Sequence, residues 1–424
     1  MAAVNPPRGM RDFLPHEKAR RERVLTIIRD CYRAHGFDEI ETPVMEEYDR
    51  LHSGIGGDNE KLAFAVLKRG LDAEAIAAAA TDPAALSDLG LRYDLTVPLA
   101  RFYASHRAEL PGVFRSIQIA PAWRAERPQK GRYRQFLQCD IDVIGDATPR
   151  AEAELVTATL DALSALGLVG ATVRVNDRRV LDALLDGFGF AVEARPGVLI
   201  TIDKLDKIGA DGVVAQLHSH GHDPAAVDAF ARFLANAEAP RSVGDGEISR
   251  ILPTGTPSAT ADTLTELLQT LIDTCGANGA LVFDPFLVRG MGYYTGTIFE
   301  ITHPEVSYSL AGGGRYDGMI GRFLREDVPA VGFSLGFERI IDLLGEVQDS
   351  RPPAVVLVHD ADVPVAELIA AKAKLIADGT RVRLETRPKN LRAVLERAAA
   401  DGYTAFAAIS PGMSVADLEL KPLN

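Results

Sequence analysis

The sequence predicts a mixed α/β protein of two or three domains. Extended stretches on both sides of a Pro-Gln-Lys-Gly turn indicate a β-hairpin in the first half of the chain, and polar and apolar residues alternate in its second arm. The stretch from Asp177 to Asn278 is mainly helical, and strands alternate with helices after the proline break at 351–353. At 424 residues the chain is too long for one compact core, so we assign these features to separate domains.

The composition is that of an ordinary soluble protein, with 47% hydrophobic and 25% charged residues. The N-terminal residues contain no apolar signal core, and no apolar run is long enough to span a bilayer. We therefore expect a cytoplasmic protein with no membrane partner. The formal net charge of −13 repels nucleic acid at long range, so a nucleic-acid partner requires a local basic patch.

The cysteines and histidines do not predict a metal site. The three cysteines lie far apart without a C-x-x-C pair, which argues against a structural zinc ion or a disulfide framework. His218, His220 and His222 alternate in a polar stretch without a ligand set of recognised spacing. We interpret this stretch as an exposed turn and expect no metal ligands.

The N-terminal part begins with an amphipathic helix. Apolar residues recur at helical spacing from Glu17 to His35, and Phe37–Val44 follows as a predicted strand. Residues 53–61 form a glycine-rich stretch without the G-x-x-x-x-G-K-[ST] pattern of a P-loop, so we predict a flexible loop.

The segment L-R-Y-D-L-T-V-P-L-A-R, Leu91–Arg101, carries two polar side chains among apolar ones. We predict that it is extended, which places Asp94 and Thr96 on the same face because side chains alternate along a strand.

The predicted hairpin has a basic tip that contains a single acid, Glu126. Its cations are Arg124, Arg127, Lys130, Arg132 and Arg134. Guanidinium groups pair bidentately with phosphate, so a tip of this kind can hold a polyphosphate at several oxygens. The alternative is an ordinary solvated basic hairpin.

The second arm of the hairpin favours a ligand. Gln138, Asp140 and Asp142 recur at period two, so three polar groups share one face of an otherwise apolar strand. Polar groups in such a strand need partners, and a zwitterionic ligand would use both the carboxylates and the arginines.

Two later segments also suggest a site. L-V-F-D-P-F-L-V-R-G-M-G-Y-Y-T-G-T-I-F-E-I is predicted as strand, tight turn and strand, with Arg289, Tyr293 and Tyr294 at the turn. The glycines allow a ligand to approach the backbone closely, although a plain hairpin remains the alternative. L-A-G-G-G-R-Y-D-G is predicted as a second glycine-rich turn, and a short strand then leads into a helix. Arg339 lies near the start of that helix, where it can reach a phosphate or an adenine.

Several motifs together resemble the histidyl-tRNA synthetase family. R-A-E-R-P-Q-K-G-R-Y-R-Q-F resembles motif 2 of the class II synthetases, and L-V-R-G-M-G-Y-Y-T-G-T-I-F-E resembles the loop that binds histidine in this family. G-G-G-R-Y-D-G and P-A-V-G-F-S-L-G-F-E-R resemble the approach to motif 3 and its core. P-R-G-M-R-D-F-L-P and L-R-Y-D-L-T-V-P also fit, so the resemblance runs from Pro7 to about Leu344.

The resemblance implies an antiparallel sheet flanked by helices, in a homodimer. It implies a class II catalytic core in 1–176 and 279–348, a mainly helical insertion in 177–278, and an anticodon-binding-like α/β domain in 353–424. It also implies the reaction, in which ATP activates L-histidine to histidyl-adenylate and the histidyl group passes to the 3′ end of tRNA(His), with Mg²⁺ accompanying ATP.

The resemblance further implies roles for single residues. Asp94, Thr96 and Gln138 would hold the α-ammonium group of histidine, while Asp142 and Tyr294, with Tyr293 beside it, would face the imidazole. The catalytic arginines would be Arg289, at the substrate carboxylate and α-phosphate, and Arg124, at the α-phosphate and also in contact with histidine. The remaining ATP ligands would be Glu126 at the adenine, Phe136 on its face, Arg132 at the outer phosphates and Arg339 at the γ-phosphate.

The chain departs from the family pattern at three positions. An acid is usual in the family where this chain has Gly292, and glutamate is common where it has Asp94 and Asp142. The alternative function is that of a catalytically altered paralogue, such as a regulatory subunit of ATP phosphoribosyltransferase that binds histidine.

Overall fold

The computed structural model describes residues 4–52, 62–129, 131–236, 241–242, 252–253, 255–275, 279–289, 292–345 and 353–423. The predicted loop at 53–61, Lys130 at the hairpin tip, and Gly290 and Met291 lie outside the described residues. By its contacts the chain forms two compact units. One consists of Met1–Arg11 and Val24–Leu344, and the other of Asp12–Arg23 and Gly345–Asn424.

A large sheet forms the centre of the first unit. Its strands, in chain order, are β1 Asp38–Glu39, β5 Phe114–Trp123, β6 Gln135–Ile144, β7 Ala171–Asp177, β8 Arg241–Ser242, β9 Gly279–Phe283, β10 Thr297–Thr302, β11 Ala311–Arg315 and β12 Ala330–Gly336. Within the described residues the spatial order is β1-β5-β6-β12-β11-β10-β7-β9-β8. The run from β5 to β7 is antiparallel throughout, whereas β1 pairs with β5, and β9 with β7, in parallel.

Helices cover this sheet, as expected for an antiparallel sheet that buries one face or both. They are α4 Thr96–His106, α5 Arg150–Ala165, α10 Ser258–Cys275, α11 Asp317–Leu324 and α12 Phe337–Leu343. Helix α1 Pro15–Ala34 precedes β1, and its residues up to Arg23 belong to the second unit. α5 packs on β6 and β12, and α10 packs on α5. A three-stranded sheet lies beside them, formed by β2 Met45–Glu47, β3 Phe64–Leu67 and β4 Ser87–Leu91, with α2 Tyr48–Leu51 and α3 Ala73–Ala78.

The segment between β7 and β9 is mainly helical, as the sequence predicts. Its helices are α6 Arg178–Phe188, α7 Arg195–Ile202, α8 Leu205–Ser219 and α9 Pro224–Asn236, together with α10. Buried apolar side chains of α6 to α9, including Phe230, pack with Leu287, Val288 and Ile298 of the loop and strand that follow β9. This packing joins the helical segment to the loop that carries Arg289.

The second unit contains the small α/β fold that the alternating pattern predicts. Its elements are β13 Ala354–His359, α13 Val365–Ala377, β14 Arg381–Thr386, α14 Leu391–Ala400, β15 Ala405–Ile409 and β16 Lys421–Pro422. The sheet order is β14-β13-β15-β16. None of the described helices of the chain is long and apolar enough to cross a membrane.

Four local predictions were wrong. The strand predicted at Phe37–Val44 is limited to β1, and Thr96 begins helix α4 instead of continuing an extended segment. The glycine-rich turn at 311–315 is strand β11. The tight turn predicted between β9 and β10 is instead a longer connection at 284–296, and the alternative of a plain hairpin does not hold, because β7 lies between the two strands.

Candidate active site

The twelve residues to which the family resemblance gives roles line one cavity of about 1090 Å³ on the large sheet, whereas Arg127 and Arg134 of the basic hairpin tip do not line it. The twelve residues are Asp94, Thr96, Arg124, Glu126, Arg132, Phe136, Gln138, Asp142, Arg289, Tyr293, Tyr294 and Arg339. Asp140, Glu300, Tyr316, Ser334 and Glu338 line it as well. The predicted hairpin of β5 and β6 supplies part of the floor.

The register of the sheet creates space for the acidic end of the cavity. Asp142 on β6 pairs across the sheet with Gly332 on β12, and Gly332 pairs with Gly314 on β11. A Cβ atom at Gly332 would lie 1.9 Å from Oδ1 of Asp142, and one at Gly314 would lie 2.8 Å from the Tyr294 ring. Only glycine therefore leaves room for these two side chains beside the strands.

Three buried carboxyl groups lie at this end. Burial raises the pKa of Asp94 to about 6 against the opposing effect of Arg124. Burial also raises the pKa of Asp142 to about 7, opposed by a hydrogen bond from Tyr316 and assisted by Asp94. For Asp140, burial and the neighbouring Asp142 raise the pKa well above its ordinary range. Without a cationic ligand, the site therefore retains protons near neutral pH.

Two acceptor atoms at this end have no hydrogen-bond partner among the described residues: Oδ2 of Asp94 and Oε1 of Gln138. Both atoms are buried. The amide of Gln138 is oriented from behind, because its Nε2 donates to Oδ2 of Asp140 at 3.2 Å and to Oγ of Ser334 at 3.1 Å. A buried acceptor without a hydrogen-bond partner lowers the stability of the folded protein, so we expect a ligand to donate hydrogen bonds to these two atoms.

An aromatic group borders the carboxyls. The rings of Tyr293 and Tyr294 meet edge to face with centroids 4.8 Å apart, and Tyr316 meets Tyr293 at 5.9 Å. The Tyr316 hydroxyl donates to Oδ1 of Asp142 at 2.6 Å. Sequence reasoning gave Tyr316 no role, and no local pattern distinguishes it from any other tyrosine after a glycine run.

Another part of the cavity is basic, and its Arg124 is close enough to Asp94 to act on the pKa of that carboxyl. The Arg124 guanidinium lies 5.0 Å from the centroid of the Phe136 ring, and its Nε donates to the Tyr93 carbonyl at 2.9 Å. Arg132 pairs with Glu126 at 3.4 Å. Arg339 donates to the Ser309 carbonyl at 2.6 Å.

Burial lowers the pKa of Arg339, with the positive charges of Arg132 and Arg289 adding to the effect. Clustered cations repel one another, and a bound anion offsets this repulsion. This part of the cavity is therefore suited to a polyphosphate.

Residues of the N-terminal segment contact the hairpin tip. Arg11 pairs with Glu338, and its guanidinium stacks on Tyr133 at 3.4 Å from the ring centroid. Gly9 has a positive φ of 83°, and a Cβ atom there would lie 2.7 Å from Pro128. The backbone N–H of Leu137 donates to Glu338 at 3.2 Å, which joins β6 to α12.

Helices α7 and α8 form a wall of the cavity that sequence reasoning did not foresee. Leu199, Ile200, Asp203, Asp206 and Lys207 all line it. Gly292 is exposed, and a Cβ atom there would meet no described residue within 4 Å. The described residues around this position therefore leave room for the acidic side chain that the family pattern usually has.

Comparison with known proteins identifies the family. The family model described as histidyl-tRNA synthetase matches residues 9–340. A histidine–tRNA ligase of Leifsonia xyli subsp. xyli is 58% identical over 428 residues, covering 99% of each chain. The chain belongs to the histidyl-tRNA synthetase family. A probable histidine–tRNA ligase of Tropheryma whipplei is 42% identical over 417 residues, or 96% of each chain.

Solved structures agree on the fold of the family. Histidyl-tRNA synthetase from Nostoc sp. PCC 7120 has a TM-score of 0.76 at 24% identity, covering 100% of this chain and 95% of that chain. An ATP phosphoribosyltransferase regulatory subunit/histidyl-tRNA synthetase from Bacillus halodurans C has a TM-score of 0.75 at 22% identity, covering 97% and 99%. At these identities the likeness concerns the fold alone. It confirms the predicted α/β class, with a synthetase-type sheet and a small C-terminal α/β fold.

Proposed function

We propose that this chain activates L-histidine with ATP and transfers the histidyl group to the 3′ end of tRNA(His). The observation that carries the proposal is that one cavity contains both kinds of group. It has buried acceptors without partners among the described residues, and it has clustered arginines. A cationic amino acid and a polyphosphate fit these two kinds of group. Membership of the histidyl-tRNA synthetase family supports the assignment.

At the acidic end, the α-ammonium group of histidine would donate to Asp94, Thr96 and Gln138. Oδ2 of Asp94 and Oε1 of Gln138, which have no partner in the described part of the chain, are acceptors of the kind that an ammonium group requires. The imidazole would lie between Asp142 and the Tyr293–Tyr294 pair, where the carboxylate accepts from a ring N–H.

In the basic part of the cavity, Arg124 would contact the α-phosphate while the adenine lies on Phe136. The Arg124 guanidinium lies over one face of the Phe136 ring, 5.0 Å from its centroid, so the adenine would stack on the other face. Arg132 and Arg339 would contact the outer phosphates, and Glu126 the adenine amino group.

The first step requires no general base. The carboxylate of histidine is ionised at neutral pH and attacks the α-phosphate in line, while the bond to pyrophosphate breaks. Arg289 and Arg124 would neutralise the charge that builds up on the α-phosphate, and their fixed positions reduce the cost of orientation.

Mg²⁺ enters with ATP as part of the substrate and neutralises charge on the departing pyrophosphate. The acids in the basic part already pair with cations, Glu126 with Arg132 and Glu338 with Arg11. We propose that the phosphate oxygens of ATP provide most of the metal's ligands.

Histidine binding should release protons at pH 7. In the free protein Asp94 and Asp142 have raised pKa values of about 6 and about 7, and a bound cation favours their ionised forms. We expect roughly half a proton released per histidine at pH 7, fading above pH 8, where both groups are already ionised. Calorimetric titration in two buffers of different ionisation enthalpy measures this number, and identical heats in both buffers at pH 7 would contradict it.

The raised pKa values of Asp94 and Asp142 also make the stability of the free protein fall as the pH rises. Because the folded-state pKa values are raised, these carboxyls contribute stability that is fully present below their ordinary pKa near 4 and is lost as pH rises through 6 to 7. The increase in melting temperature on adding histidine should therefore be larger at pH 8 than at pH 5.5.

The C-terminal unit is our candidate for the tRNA anchor, as the anticodon-binding-like domain of the family pattern. Ion pairs neutralise some of its basic side chains: Arg383 pairs with Asp401, Arg387 with Asp360 and Arg392 with Glu396. Arg381 and Lys389 are exposed, and neither has a carboxylate partner among the described residues. These two cations are therefore the better phosphate ligands.

Arg381→Glu combined with Lys389→Glu should raise the KM for tRNA about tenfold, because two phosphate contacts become repulsive. Histidine-dependent pyrophosphate exchange should not change, since every proposed site residue lies within Val24–Leu344. Arg392→Ala in the full chain is the control. An unchanged KM for tRNA would show that this face does not bind it.

We also propose a homodimer. Strand β1 lies at one edge of the large sheet and pairs only with β5 among the described strands. Val44 and Met45 nearby are 42% and 44% exposed. An open strand edge beside exposed apolar side chains is a surface that a second copy can cover. Sedimentation velocity of the full chain tests this, and a monomer at micromolar concentration would contradict it.

Charging of tRNA is the test of the complete reaction. The purified chain, supplied with ATP, labelled histidine and tRNA(His), should form acid-precipitable histidyl-tRNA, and omission of ATP should abolish it. The histidine-binding regulatory paralogue is not favoured, because the relative at 58% identity over 99% of each chain is a histidine–tRNA ligase. Bound histidine without charging would restore that alternative.

A further inference from the structure

Arg289 lies on the loop between β9 and β10 instead of on a strand. A long side chain on a loop has many rotamers, yet a residue that neutralises charge at a reacting phosphate needs a fixed position. The structure contains three features that restrict this guanidinium.

The first is a hydrogen-bonded ion pair with a strand residue. Nη1 of Arg289 donates to Oε2 of Glu300. Glu300 belongs to β10, which is paired with β11 on one side and β7 on the other. The acceptor therefore stands on a strand that both neighbours hold in place.

The second feature is a space beside Glu300 where β11 has no side chain. Gly312 on β11 is the direct cross-strand partner of Glu300. A Cβ atom at Gly312 would lie 2.2 Å from Nη2 of Arg289 and 2.4 Å from its Cζ. The guanidinium therefore lies against the backbone of β11 in space that only glycine provides.

The third is a second arginine on the far side of Glu300. Arg174 on β7 is its other cross-strand partner, and Nη1 of Arg174 lies 3.3 Å from Oε1 of Glu300. Arg174 also donates from Nε to Asp284 at 2.8 Å. Each oxygen of Glu300 thus has its own arginine, and the carboxylate cannot rotate without breaking one of the two pairs.

We propose that Glu300 is a positioning residue for Arg289, holding the guanidinium over Gly312 so that its remaining N–H groups meet the substrate carboxylate and α-phosphate. Nε of Arg289 is buried and has no partner among the described residues, so at least one donor is left for a ligand. This inference rests on the proposed function. A purely structural ion pair within the sheet is the competing explanation.

A double-mutant cycle separates the two explanations. Glu300→Gln should lower kcat for histidine-dependent pyrophosphate exchange on the order of tenfold to a hundredfold, with smaller changes in the KM values, since a misplaced guanidinium affects mainly the transition state. In the Arg289→Ala background the same change should have almost no effect, because Glu300 acts through Arg289. Glu305→Gln, an exposed acid just after β10, is the matched control and should leave the rate unchanged.

Gly312→Ala provides an independent variant if Glu300→Gln folds poorly. Its Cβ atom should displace the guanidinium and lower kcat in the wild-type background, and it should be tolerated in the Arg289→Ala background, where the space is free. Losses of equal size in both backgrounds would overturn the positioning role while wild-type exchange still supported the proposed function. A wild-type chain without exchange would overturn the proposed function and, with it, this inference.

Discussion

Arg289→Ala should lower the rate of histidine-dependent pyrophosphate exchange on the order of a hundredfold or more, because in the proposed mechanism one preorganised positive charge at the α-phosphate is lost. The variant should still fold. Glu300 remains paired with Arg174, so the substitution does not leave an isolated buried carboxylate. Initial rates at saturating ATP and histidine measure the effect, and thermal unfolding verifies the fold.

Arg289→Lys should restore little of this activity. A lysine ammonium is a point charge that cannot lie flat over Gly312 and contact Glu300 and a phosphate at the same time. Arg392→Ala, which removes an arginine whose side chain is 89% exposed in the other unit, is the control for loss of an arginine. A folded Arg289→Ala variant with near wild-type exchange would remove Arg289 from the mechanism.

Asp142→Ala should raise the KM for histidine on the order of a hundredfold and change the KM for ATP little. Asp142 is only 4% exposed. Without its carboxylate, the imidazole N–H that donates to it would have no acceptor, and little water would reach it there. Exchange rates over a range of histidine and ATP concentrations separate the two constants. A raised KM for ATP with an unchanged KM for histidine would mean that Asp142 faces the other ligand.

Two related variants refine this result. Tyr316→Phe keeps the carboxylate and removes the 2.6 Å hydrogen bond to Oδ1, so its effect on the KM for histidine should be smaller than that of Asp142→Ala. Asp142→Asn replaces the carboxyl with a neutral group of the same shape. It should not lower the stability of the free protein at pH 8, because a buried carboxylate with a raised pKa is destabilising there.

Periodicity was sufficient to place one side of the site. Gln138, Asp140 and Asp142 occupy alternate positions of β6 and line the cavity together, as alternate residues of a strand must. Asp94 and Thr96 also reach the cavity, although the predicted extended backbone was wrong, because Thr96 begins α4. The residue types were informative there even where the local conformation was not.

The glycines of β11 show what local patterns miss. Glycine usually weakens a strand, so three in succession predicted a turn. Here Gly312 admits the Arg289 guanidinium, Gly314 admits Tyr294, and Gly313 lies against the β12 backbone, where a Cβ atom would be 2.1 Å from the Gly332 carbonyl. These requirements come from residues that are distant in sequence.

The remaining parts of the site depend on long-range register. Glu300 becomes the neighbour of Gly312 and Arg174 only when β10 takes its place between β11 and β7. Similarly, helices α7 and α8 line the cavity only after packing against the loop that follows β9. A helical periodicity predicts the apolar face of such a segment but not the surface that it covers.

The most direct test of the central claim is histidine-dependent exchange between ATP and labelled pyrophosphate by the purified wild-type chain. If one cavity binds histidine at its acidic end and ATP in its basic part and joins them, exchange should require histidine, ATP and Mg²⁺, and no other standard amino acid should replace histidine. It should proceed without tRNA. Calorimetric binding of histidine with no exchange would contradict the account and indicate a histidine-binding protein that does not form the adenylate.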